Sequence, residues 1–171
     1  MGQVGQKGDK VLSFFFEFPQ KRFGLRELSR LCRMPKSSLP RVLQYLIQQK
    51  LIQKNKNGYI ANETNFWYRF KKRNDLLTKI YQSGLVDFLQ KSTFASVIIL
   101  FGSGAKGEYV KKSDLDIFVQ APEKIFELHC FEKKLRRSIN LQFKEKLDHL
   151  NPELLNNIVN GYKLSGYLKI K

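Results

Sequence analysis

Between residues 96 and 119 the chain reads SVIILFGSGAKGEYVKKSDLDIFV, and this stretch concentrates the residues able to do chemistry. Asp114 and Asp116 stand two positions apart where the apolar run Leu115 to Val119 begins. Gly102, Ser103 and Lys106 lie in a glycine-rich bend, Gly102 to Gly107, that follows a β-branched apolar run, Ser96 to Phe101. If both runs are strands, alternation puts the two carboxylates on one face, ~7 Å apart, with Leu115 and Ile117 turned into the core. Carboxylates in that arrangement are hard oxygen ligands that suit Mg²⁺ or Mn²⁺. Two such ions ~3.5–4 Å apart clamp the attacking and leaving oxygens of a phosphoryl transfer. Gly102 and Ser103 would bring backbone N–H groups and a hydroxyl to a triphosphate, and Lys106 would neutralise part of its charge.

Two other phosphate-binding patterns overlap the stretch and fail on chemistry or length. A P-loop needs Gly-x4-Gly-Lys-Ser/Thr; Gly102 and Gly107 have the spacing, but Glu108 and Tyr109 follow, an acid in place of the phosphate lysine. Gly102-x-Gly104-x-x-Gly107 matches the dinucleotide fingerprint, yet a Rossmann unit needs a crossover helix within ~30 residues or more. The seven residues between Gly107 and Leu115 leave no room for one.

Gly102-Ser103, ten residues, then Asp114-x-Asp116, with Gly107 between and Ser113 before the first acid, resembles the minimal nucleotidyltransferases of the DNA-polymerase-β superfamily. The likeness covers roughly residues 92–168. It implies an α+β fold with a mixed sheet flanked by helices, and an NTP held at Gly102 and Ser103, with Ser113 beside it. It also implies Mg²⁺ (or Mn²⁺) on Asp114 and Asp116, as the catalytic pair, and transfer of a nucleoside monophosphate to an acceptor hydroxyl. That family's third carboxylate, a metal ligand and base, belongs on a later strand. The matching strand is Ser138 to Phe143, where the candidate position holds Asn140. Asn offers a neutral oxygen and cannot accept the nucleophile's proton. Glu145 or Asp148 takes the place if the register is shifted. The polar residue the family carries after Gly-Ser is Gly104 here, which removes one phosphate contact.

The remaining C-terminal elements are an amphipathic helix over Phe126 to Arg137, a helix over Pro152 to Asn160, and a closing strand over Tyr162 to Ile170. His129 and His149 have no metal-ligand spacing with the cysteines and read as surface or packing residues.

The N-terminal half reads as three short helices and a hairpin. Val11, Leu12, Phe14, Phe15, Phe16 and Phe18 crowd a helix from Lys10 that stops at Pro19. Leu25 to Cys32 forms a second, and Leu39, Val42, Leu43, Leu46 and Ile47 give a third its apolar stripe. Pro40 fits only in the first turn of that third helix, with Ser37 or Ser38 as N-cap. Leu51 to Gln53 and Tyr59 to Ala61 then flank a tip, Lys54 to Gly58, whose Asn-Gly pair suits a tight turn. This layout resembles a winged helix-turn-helix domain. The resemblance implies that the third helix reads duplex DNA through Lys36, Ser37, Arg41, Gln44 and Tyr45. It implies too that Lys54 and Lys56 at the wing tip touch phosphate or minor groove. Lys10, Lys21, Arg22 and Arg26 would add backbone contacts.

Charge divides the chain in the same way. Residues 1–91 hold 18 Lys and Arg against 6 Asp and Glu, and residues 92–171 hold 13 against 9, within a net charge of +16. An excess confined to one half suits a module that meets a polyanion, joined to one that does not. The expected domains are 1–61, a helical spacer over 62–91 that Gly84 breaks in two, and 92–171. Cys32 and Cys130, far apart, form no disulfide framework and suit a reducing cytoplasm. A polar start, with Glu17 and Pro19 in the Phe-rich run, is unlike a signal peptide. The longest uncharged apolar run, Phe94 to Phe101, falls far short of the roughly 20 residues of a spanning helix, so no membrane partner is expected. Two functions fit: an NTP-using transferase carrying a DNA-binding module, or a non-enzymatic transcription regulator. In the second, the C-terminal half is a silent enzyme that binds only nucleotide or a helical partner protein, as in antitoxin-like pairs.

Overall fold

The computed structural model describes residues 3–148 and 150–169. His149 and Ile170, named above, lie outside them. The chain divides into two compact units, residues 1–72 and 73–171.

The first unit holds helices α1 (Gln3–Glu17), α2 (Leu25–Leu31) and α3 (Leu39–Gln48), then strands β1 (Ile52–Asn55) and β2 (Gly58–Ala61). It also holds the start of α4 (Phe66–Ser83). Helix α1 begins two turns before Lys10, across Gly5 and Gly8, residues that ordinarily weaken a helix by ~1 kcal/mol each. Tertiary packing overrides that: a Cβ on Gly8 would lie 3.4 Å from Leu46, so the missing side chain lets α1 seat closely on α3. The expected stripe of α3 is buried at Leu39, Val42, Leu43 and Leu46. Ser38 is its N-cap and Pro40 falls in the first turn, where no intrahelical N–H is needed. The Ser38 hydroxyl donates to the Pro35 carbonyl (3.0 Å) instead of capping.

The hairpin pairs Ile52 with Ala61 and Asn55 with Gly58. Its strands run further into the expected tip than the sequence suggests, leaving only Lys56 and Asn57 in the turn, and Asn55 Oδ1 accepts the Asn57 N–H (3.0 Å). Phe23 joins the hairpin as an isolated bridge, exchanging backbone hydrogen bonds with Tyr59 at 2.8 and 2.9 Å. Gly58 has φ +130°, and a Cβ there would meet the Phe23 carbonyl oxygen at 2.6 Å, so this approach needs glycine. The Tyr68 hydroxyl donates to the Phe15 carbonyl (2.7 Å) and ties α4 to α1.

The second unit comprises the end of α4, α5 (Leu85–Thr93), β3 (Val97–Phe101), α6 (Gly102–Lys106), β4 (Leu115–Val119) and α7 (His129–Leu135). It closes with β5 (Ile139–Phe143), α8 (Pro152–Val159) and β6 (Tyr162–Gly166). The strands form one mixed sheet, β5-β4-β3-β6, in which β3 runs antiparallel to β4 and β6 while β4 and β5 are parallel. Strand β3 is buried on both faces. Ile98 and Leu100 join Leu115, Ile117 and Val119 in a core with α5 and α7. Val97, Ile99 and Phe101 join Phe118 in a second core under α8, with Leu147 and Ile158. A mixed sheet flanked by helices is what the nucleotidyltransferase likeness implies.

Four local outcomes differ from the sequence reading. The glycine-rich bend is not a loop but one helical turn, α6. Helix α7 is shorter at both ends than Phe126 to Arg137 and stops in the left-handed Arg136 (φ +55°). Strand β6 ends at Gly166 because the chain beyond turns to the Gln120 side chain, whose Oε1 accepts the Lys169 N–H (3.1 Å). Segment 62–91 supplies core: Tyr68 is buried in the first unit, and Leu76, Ile80, Leu85 and Leu89 in the second. Among the described residues no helix is long and apolar enough to cross a membrane.

Candidate functional site

Phe101, the last residue of β3, pairs with Asp116 on β4, so the chain turns into α6 directly beside an acid. Gly102 makes that turn with φ +66°, and a Cβ on it would lie 2.7 Å from Asp116 Oδ2. Glycine is required twice over, by the dihedral and by the carboxylate that fills the space. Leu115, Ile117 and Val119 enter the core while Asp116 lies on the opposite face with Phe118. Asp116 is half-buried; Asp114, one residue before the strand, is exposed, and its carboxylate has no hydrogen-bond or ion-pair partner among the described residues.

Asn140 sits across the parallel pair from Asp116, and its Nδ2 donates to Asp116 Oδ1 at 3.1 Å. The strand and position expected for the third carboxylate are thus adjacent to the second, and the occupant is an amide. Glu145 does not replace it: it lies in a bend two residues past the end of β5, toward the end of β4 away from Asp116. Its carbonyl there accepts from Gln120 Nε2 at the far end of β4. Among the described residues no three His, Cys, Asp or Glu side chains group as a metal site.

The segment between Gly107 and Asp114 is held from beneath. Arg137, almost fully buried, donates Nη1 to the Val110 and Ser113 carbonyls and stands 4.6 Å over the Tyr109 ring. A guanidinium suits this role because its planar fork spans several carbonyls at once. Ser113 Oγ accepts the Val110 N–H (2.9 Å), leaving its own proton available to a ligand. Sequence reading missed Arg137; the only signal was a second consecutive arginine where a polar helix end meets an apolar strand. Ser103 is half-buried in the first turn of α6, and Lys106 is exposed at its end, without an ion-pair partner among the described residues.

In the first unit Lys36, Ser37, Arg41, Gln44, Lys54 and Lys56 are all exposed. Tyr45 is half-covered, its ring 3.7 Å from where a Gly8 Cβ would stand. Lys21 is engaged with Glu27 at 2.7 Å, and that hydrogen bond holds the Glu27 carboxyl below its usual range. Cys32 is buried and Cys130 exposed, both as free thiols.

Residues 83–164 match the family model described as Polymerase beta, Nucleotidyltransferase. That span contains the Gly102 turn, Asp114, Asp116 and Asn140. No curated protein matches the chain.

Proposed function

We propose that the chain is a divalent-metal-dependent nucleotidyltransferase that moves a nucleoside monophosphate from an NTP to an acceptor hydroxyl, and that its first unit binds duplex DNA. The observation that carries the transferase reading is the Asp116 carboxylate packed against the Gly102 turn, with Asp114 unpartnered two residues before it. Both carboxylates fit Mg²⁺ or Mn²⁺, which when bound would neutralise the triphosphate and polarise its α-phosphate. The chain's own part is positional. The first-turn N–H groups of α6 at Gly102 and Ser103 lack intrahelical acceptors and would take phosphate oxygens, with the Ser103 and Ser113 hydroxyls and Lys106 as further donors. Asn140 cannot take the acceptor's proton, so that proton passes to water.

The DNA-binding part rests on the order of elements and on charge. Three helices, the Phe23 bridge and a hairpin follow the winged helix-turn-helix order. Lys36, Ser37, Arg41 and Gln44 are displayed around α3, and Lys54 and Lys56 near the hairpin turn.

Calorimetry with Mg–ATP tests the transferase site. Wild type should bind, Asp114→Ala/Asp116→Ala should not, and the same variant should retain DNA affinity. Unchanged nucleotide binding in the double variant would refute the site. Asn140 favours a second reading, in which the C-terminal unit binds nucleotide or a helical partner protein and the chain acts as a DNA-binding regulator without catalysis. Incubation with α-labelled NTPs, Mg²⁺ or Mn²⁺ and lysate separates the two: a molecule that acquires label decides for the enzyme.

A further inference from the structure

Next to Asp114 lies an open cavity of about 490 Å³, lined by five cationic side chains, two acids and His129. It is not the triphosphate cradle. Phe131 and Leu135 of α7 pack into the core shared with Leu115, Ile117 and Val119, so α7 covers the sheet face opposite Asp116. The cavity lies along the exposed side of α7 and meets the site only at Ser113 and Asp114, with neither Gly102 nor Ser103 in its wall.

Its charge comes from α7, the helix's C-terminal end and the loop before Asp114. His129, Glu132 and Lys133 recur at i, i+3 and i+4, one face of α7, while Phe131 and Leu135 take the buried face; Arg136 follows at the helix's C-cap. Glu132 directs Oε1 to the Ile139 N–H (3.0 Å), so it does not pair with its cationic neighbours. Lys112, Lys133 and Arg136 have no ion-pair partner among the described residues. Arg136, at the C-terminal end of α7, has a left-handed backbone (φ +55°) and lines the wall. The half of the chain outside residues 1–91 carries a modest net charge, 13 basic against 9 acidic residues, so this convergence is local.

We infer that this cavity is an anion subsite that seats a phosphate group of the acceptor, placing the acceptor's hydroxyl at the Asp114 edge of the site. Several cations with the hydroxyl of Ser138 suit a tetrahedral, multiply charged oxyanion better than a single carboxylate. The identity of the phosphate's carrier as the acceptor rests on the transferase reading; the anion site itself does not.

The test uses the full chain and two phosphate sources, a five-nucleotide oligoadenylate and glucose 6-phosphate. Each is paired with a neutral analogue, the methylphosphonate strand and glucose. Lys133→Glu/Arg136→Glu should weaken one phosphate source at least tenfold relative to wild type. Lys91→Glu/Lys146→Glu, the same charge change away from the cavity, should not. A loss confined to the strand names a nucleic-acid acceptor, and one confined to glucose 6-phosphate names a small phosphorylated one. Equal losses in both double variants, or none, overturn the subsite. So does a loss of Mg–ATP affinity in Lys133→Glu/Arg136→Glu, which would make the cavity part of the triphosphate site. If wild type binds no ATP but the phosphate probe still responds, the transferase reading fails and the anion site stands.

Discussion

Asn140 donates its side-chain amide to Asp116 directly across the parallel β4–β5 pair, at 3.1 Å. The bond satisfies one carboxylate oxygen with a neutral donor. To offer its oxygen to a metal, the Asn140 amide has to turn over and give up that bond. A third carboxylate in the same place would instead repel Asp116 until a cation arrived.

Asn140→Asp should reverse this balance. Without metal the variant loses a hydrogen bond and gains a like-charge neighbour, a destabilisation of about 1–3 kcal/mol. With Mn²⁺ it should recover and bind the ion more tightly than wild type, and transfer of label from an α-labelled NTP should rise ~10²-fold or more from the added base. Melting temperatures in EDTA and in MnCl₂ report the first effect and label transfer the second. A variant that gains no more from Mn²⁺ than wild type does would show that residue 140 does not face the metal.

Gly102→Ala should damage binding more than folding. The left-handed dihedral alone costs ~1–2 kcal/mol for a residue with a Cβ. The added carbon also stands where Asp116 Oδ2 now lies, 2.7 Å away, so the carboxylate must move. The variant should stay folded by circular dichroism and lose Mg–ATP binding by calorimetry. Retained affinity would mean that the position of the Asp116 carboxylate is immaterial.

Elements with a strong local pattern were legible in the sequence. The stripe of α3 and the bounds of β4 follow from periodicity and motif spacing, and the placing of Asn140 opposite Asp116 follows from the nucleotidyltransferase resemblance. What could not be read depends on partners distant in sequence. The early start of α1 comes from Gly8 meeting α3, and the end of β6 from the Gln120 side chain. The hold of Arg137 on the loop before Asp114 comes from a residue 24 positions away from Ser113. The cationic face of α7 was visible as a polar stripe, but only the fold shows that it borders Asp114.

Tyr68 offers a pH-dependent test of the first unit. Burial, aided by Glu63, pushes its phenol well above the ordinary range, and its hydroxyl donates to the Phe15 carbonyl. A raised folded value means that stability is fully present below the unfolded value of ~10 and is lost as pH rises beyond it. Tyr68→Phe should cost about 1–3 kcal/mol at pH 7, because the Phe15 carbonyl loses its donor, and should flatten the alkaline decline. Urea unfolding at pH 7, 9 and 11 measures both. Parallel alkaline slopes for the two proteins would show that Tyr68 ionises freely in the folded state.

Duplex binding, finally, should be electrostatic in origin and centred on α3 and the hairpin. Each phosphate neutralised contributes ~0.9 to the slope of log affinity against log salt concentration. Wild type should therefore lose affinity steeply with salt. Arg41→Ala should weaken binding and lower the slope by about one if the guanidinium meets a phosphate. If Arg41 instead reads a base edge, the same variant weakens only particular sequences, by about 1–3 kcal/mol, and leaves the slope unchanged. Lys54→Ala/Lys56→Ala should lower the slope on every sequence, because a hairpin tip that touches the backbone carries no base information. Lys91→Ala, in the other unit, is the control. Filter binding across a salt series, on a random duplex and on one selected for tight binding, distinguishes these outcomes. Affinity indifferent to salt, or equal to wild type in both variants, would assign the exposed α3 face to a protein partner instead.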